Sequence, residues 1–100
     1  MTTPELFDFA RAECNKAIAL AMAKNADYAT GADPFQNLRR GGLFGIAVRM
    51  DDKVSRLLNL VKTGAEPKVL SESVRDTAVD LLNYSWLFLA LLEELSRGGR

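Results

Sequence analysis

Glu72, Asp76 and Asp80 recur at intervals of four residues, and Asn83 follows three residues later. On a helix that spacing stacks all four side chains on one face. Like charges so placed oppose one another by about 0.2–0.5 kcal/mol per pair even when exposed. Val74, Ala78, Val79, Leu81 and Leu82 flank the stripe, which predicts half-burial and a larger repulsion. A compensating charge is required, either a divalent cation or basic residues from another helix. A second polar face supplies candidates: Arg49, Asp52, Lys53 and Arg56. If the two faces meet in an antiparallel pair, carboxylates from two helices surround one site. Oxygen ligands alone favour magnesium, or manganese, over zinc. Magnesium keeps several waters and is completed by substrate phosphates, which neighbouring lysines and arginines would neutralise. Three readings stay open on these residues: a metal site, a salt-bridge network that sets helix register, or simple exposure.

The composition removes other chemistries. The chain has 100 residues, one cysteine and no histidine. That excludes an internal disulfide, cysteine-based zinc sites, and catalysis by Ser-His-Asp or Cys-His arrangements. Thirteen acidic and thirteen basic residues cancel, so bulk charge favours neither a nucleic-acid nor a membrane partner. The apolar fraction of 48% is that of a globular chain, and its length allows one domain, residues 1–100. The N-terminus has no secretory pattern. The most apolar run, Leu81 to Leu92, falls short of the roughly 20 residues a membrane span needs. A soluble, cytoplasmic protein is expected.

Three helices must position the polar faces. Thr3, Pro4 and Glu5 read as a helix start. Phe7, Ala10, Cys14, Ala17, Ile18 and Ala21 give a buried stripe on a helix from about Pro4 to Lys24, with Cys14 a small core residue. From Asn25 to Gly42 the periodicity breaks. Asp33-Pro34 there is expected to cap a short turn through Phe35 and Leu38. This long loop, with Lys24 at its start, carries Asn25, Asp27, Tyr28, Asn37, Arg39 and Arg40. They are a set suited to gripping an anion or a base edge, or equally a solvated loop. A second helix is expected over Leu43 to Lys62, with Leu43, Ala47, Met50, Val54, Leu57, Leu58 and Val61 as its core stripe. Gly64 and Pro67 stop it. Ser71 is expected to cap a third helix that runs to about Ser96. Trp86 to Leu92 is apolar on every side of that helix, and three helices in a monomer cannot enclose it. A homodimer or higher symmetric assembly is therefore expected.

Three motifs carry a resemblance over roughly residues 24 to 90. They are Lys24-Asn25-Ala26-Asp27-Tyr28; Arg49 through Asp52-Lys53 to Arg56; and Glu72-Ser73 with Asp76-Thr77, Asp80 and Asn83-Tyr84. In that order they resemble the phage and bacterial family called nucleotide modification associated domain 1, itself similar to the MazG-type all-α pyrophosphohydrolases. The resemblance implies an all-α, MazG-like helical bundle of three main helices plus a long loop, completed by oligomerisation. It also implies magnesium-dependent hydrolysis of a (deoxy)nucleoside triphosphate to monophosphate and pyrophosphate, in phage nucleotide metabolism and so in the host cytoplasm. Asp52, Glu72 and Asp76 would be catalytic, and the same three with Asp80 would hold the metal. Lys24, Lys53 and Arg56 would contact phosphates, Arg49 would bind substrate beside them, and Asn25, Asp27, Tyr28 and Asn83 would position base or sugar. The sequence departs from MazG itself: helix two has no glutamate, and Glu72 and Asp76 are separated by three residues rather than two. A site rich in cations and short of carboxylates fits a second function, a module that sequesters nucleotides or cyclic nucleotides without turnover.

Overall fold

The computed structural model describes residues 1–28, 33–63 and 67–98, and the side chains of 1–25, 33–63 and 73–98. Those residues form three helices and no strand: α1 (Thr3–Tyr28), α2 (Gly42–Thr63) and α3 (Pro67–Ser96). Helix α3 is the central element. It packs along α2 and is crossed by α1, while α1 and α2 make no backbone contact among the described residues.

Each helix starts or ends differently from the sequence expectation. The α1 cap is Thr2, one residue early: its Oγ1 accepts from the Glu5 amide at 3.3 Å, and Glu5 Oε2 accepts from the Thr2 amide at 2.9 Å. This reciprocal box satisfies two otherwise orphaned donors. Helix α1 also continues four residues past Lys24, to Tyr28, because nothing between Asn25 and Tyr28 breaks a helix. Pro67 opens α3 rather than preceding it, so the helix starts ahead of Ser71. Its fixed φ and missing N–H suit a first helical position.

The α2–α3 pair is antiparallel, with Arg56 beside Thr77, Lys53 beside Asp80 and Ile46 in the same cluster as Leu91. Its inner stripe on α2 is Leu43, Ile46, Met50, Lys53, Leu57 and Leu60, all buried or half-buried. That spacing of three and four residues is a heptad seam. The expected α2 core is thereby corrected: Leu43, Met50 and Leu57 face in, whereas Ala47, Val54, Leu58 and Val61 are exposed. Ile46, fully buried, takes the central place. Half of the α2 positions are apolar and they fall on more than one face, so several stripes compete, and packing against α3 selects one.

The turn between α1 and α2 closes the core. Phe35 inserts against Ile46 and Leu91, with Leu38, Leu43, Met50, Tyr84 and Phe88 around them. Asp33 organises this turn as expected, its Oδ1 accepting from the Phe35 amide at 3.1 Å. Arg39 locks it, donating to both Asp33 oxygens and to Glu94 Oε2 at 2.7 Å on α3. These two carboxylates hold the guanidinium pKa well above its ordinary value, although partial burial opposes them. Gly42 joins turn to helix at φ 61°, a left-handed conformation that glycine takes without a Cβ penalty.

The expected α1 core is only partly realised. Ala17 is buried and Ala21 half-buried, but Phe7, Ala10, Cys14 and Ile18 are exposed. Cys14 is a free, exposed cysteine, not a core residue. Helix α1 crosses α3 through its middle, so a stripe running its whole length cannot be covered. On α3, Leu91 is buried but Leu89, Leu92 and Leu95 are exposed. No described helix is long and apolar enough to cross a membrane.

Candidate functional site

Asp80 is the residue on which the predicted polar faces converge. It stands on α3 opposite Lys53, where both helices turn their inner faces to each other. Lys53 Nζ lies 3.0 Å from Asp80 Oδ2, and Lys24 Nζ of α1 lies 3.9 Å from Asp80 Oδ1. Asp80 and Lys53 are each about 30% exposed, so water screens the pair only in part. One carboxylate thus ties all three helices together. One turn away, Arg56 Nε donates to Thr77 Oγ1 at 3.2 Å, and that buried hydroxyl donates to the Ser73 carbonyl at 2.7 Å.

Lys24 and Asp80 form a divide between two open grooves. The first, about 480 Å³, is lined by Lys16, Ala17, Leu20, Arg75, Asp76 and Val79 beside that pair. The second, about 500 Å³, lies between α1, the 34–40 turn, α2 and α3. Asn25, Asn37, Arg49, Asn83, Tyr84 and Trp86 line it with Lys24 and Asp80, over an apolar floor that includes Leu38 and Leu87. Arg49 is exposed there and has no ion-pair partner among the described residues. Two cations, three side-chain amides and an indole therefore border one space.

Asn83 lines this groove with both ends of its amide engaged. Nδ2 donates to the Ala17 carbonyl at 3.0 Å, and Oδ1 accepts from Trp86 Nε1 at 2.8 Å. The amide pins α1 to α3 and fixes the indole. What Trp86 presents to a ligand is its ring, since its N–H is already used. Near the first groove, Arg75 and Lys16 both bond the Glu13 carboxylate. Partial burial works to raise the Glu13 pKa, but those two cations outweigh it and hold the carboxyl below its ordinary value.

Of the residues selected from sequence, Lys24, Lys53 and Asp80 form one cluster, with Asn25, Arg49 and Asn83 beside it on the second groove. Asp76 lies on the first groove. Asp52 is exposed on α2 and makes no side-chain hydrogen bond or ion pair among the described residues. The side chains of Asp27, Tyr28 and Glu72 fall outside the described residues. Among the described residues no three metal-ligating side chains come together, and Asp80 already serves two ammonium groups. Trp86 is a groove residue that the sequence does not single out, whereas Asn37 belongs to the loop set expected to grip an anion or a base edge. Trp86 sits in an apolar run and reads as core, and only the crossing of α1 over α3 opens a groove beside it.

No protein-family model, curated protein or solved structure matches this chain.

Proposed function

We propose that this protein binds a nucleotide in the groove between α1, the 34–40 turn, α2 and α3. What supports the reading is the unpartnered Arg49 on the same 500 Å³ space as Lys24, Asn25, Asn37 and Trp86. Arg49 and Lys24 suit phosphate oxygens. The indole suits the face of a base, and the free amides of Asn25 and Asn37 suit its edge. Lys53 and Arg56 act at one remove, Lys53 by holding Asp80 and Arg56 by holding Thr77. The fold is a MazG-like bundle that a further copy of the chain completes.

Hydrolysis is a second reading, carried by Asp76 and Asp80 lying one helical turn apart beside Lys24. Magnesium or manganese, held by Asp52, Glu72, Asp76 and Asp80, would neutralise phosphate charge during cleavage to monophosphate and pyrophosphate. The resemblance places such an activity in phage nucleotide metabolism. The pairing of Asp80 with two lysines favours binding without turnover.

The test is a panel of nucleoside triphosphates and cyclic nucleotides, incubated with the protein and magnesium. Both products and protein-bound ligand are analysed. Intact ligand retained by the protein, with affinity lost in Arg49→Ala, is the expected result. Monophosphate plus pyrophosphate, abolished by Asp76→Asn, establishes the enzyme instead. Neither retention nor turnover across the panel refutes both.

A further inference from the structure

Among the described residues nothing packs against the start of α1, ahead of Glu13. Residues 1–12 are all exposed, and Leu6, Phe7 and Phe9 keep 51%, 56% and 51% of their surface in water. A helix carrying three large apolar side chains on different sides gains nothing from standing alone, since burying each would contribute roughly 1.5–3 kcal/mol.

The whole chain has the same excess. Its accessible surface is 7491 Å², against roughly 5,600 Å² for a compact monomer of this mass. Its radius of gyration is 15.7 Å, against about 13 Å for a compact 100-residue domain. The surplus, about 1,900 Å² per chain, is more than twice the ~800 Å² each partner contributes to a standard interface. An excess of that size leaves room for an interface of the permanent homomeric class.

We infer that a second copy of this chain covers the first half of α1, with Leu6, Phe7 and Phe9 at the centre of a two-fold interface. Charge on this helix permits a surface to meet itself. Of the charges beside Leu6, Phe7 and Phe9, Asp8 is paired with Arg11 and the Glu5 carboxylate accepts from the Thr2 amide. A surface of one sign would repel its own copy and would point to an oppositely charged partner instead. The area and the charge balance together select self-association. The inference gives the assembly proposed above its surface, and it does not depend on which ligand the groove takes.

Light scattering after size exclusion, at low micromolar concentration, tests it on the full chain. The expected mass is an even multiple of the 11.0 kDa chain. The double variant Phe7→Glu, Phe9→Glu is expected to halve that mass. Circular dichroism of the same variant tells whether the freed chain stays helical. Loss of helicity with loss of the assembly also supports the interface, because side chains left in water could be charged without unfolding the chain. A wild-type mass of one chain overturns the inference, and so does a double variant that keeps the wild-type mass.

Discussion

Lys53 occupies a core-facing position on an α2 stripe that is otherwise apolar, and its ammonium meets Asp80 of α3 at 3.0 Å. A charged pair in such a seam contributes less to stability than to register, because each ion gives up hydration to enter it. Slipping α2 against α3 by one turn would leave both charges unpaired. Removing one partner, as in Lys53→Met or Asp80→Asn, is expected to destabilise the protein by on the order of 1 kcal/mol. The double variant Lys53→Met, Asp80→Leu is expected to recover most of that loss in urea unfolding. If the double variant is as unstable as the sum of the singles, the pair does not act as a unit.

The same carboxylate separates binding from catalysis. Asp80→Asn releases Lys24 and Lys53 from their shared counter-ion. Under the binding reading, affinity for a triphosphate rises severalfold in calorimetric titration, since two ammonium groups become available to phosphate. Under the hydrolytic reading, turnover falls by two orders of magnitude or more.

Asn83 holds α1 on α3 through the Ala17 carbonyl and holds Trp86 through its indole N–H. Asn83→Leu keeps the volume but strands both partners, at an expected cost of about 1–3 kcal/mol. Trp86 is the chain's single tryptophan, so its fluorescence reports on this site alone. A wavelength shift together with a lower unfolding midpoint is the expected result, and an unchanged midpoint would show that the amide is dispensable.

Arg39 fixes the Phe35 turn by gripping Asp33 and Glu94 at once. Arg39→Lys retains the charge but cannot reproduce that planar fork. It should therefore lower the urea midpoint almost as much as Arg39→Ala. Full rescue by lysine would show that only charge matters at this position.

Glu13 gives the fold an acid limb. Its carboxyl titrates lower in the folded protein than its ordinary value of 4.5, because Arg75 and Lys16 outweigh the effect of burial. The folded state therefore binds this proton less readily than the unfolded chain. The resulting stabilisation is present above 4.5 and is lost as pH falls through the depressed folded value. Thermal melts of the wild type and Glu13→Gln should differ near neutrality and converge in acid.

Much of this molecule was legible in its residues. Three helices and a capped turn at Asp33-Pro34 follow from local chemistry: periodicity, and hydroxyl and carboxylate caps. The antiparallel meeting of the α2 and α3 polar faces was an inference from repulsion on α3, and Lys53 does meet Asp80 there.

The rest depended on which surfaces meet. Helix α2 offers Ile46, Ala47 and Val48 in a row, so no periodicity singles out Ile46 until α3 packs against it. On α1, apolar residues lie on several sides, and its crossing through the middle leaves Cys14 and Phe7 in water where a stripe argument buries them. Trp86 reads as core from its neighbours and becomes a groove residue only because α1 and α2 stay apart. Local propensity and capping are properties of a few adjacent residues, so the chain by itself determined its helices. The choice of buried face, the grooves and the use of each charge arise from contacts between distant residues, and only the tertiary structure decided those.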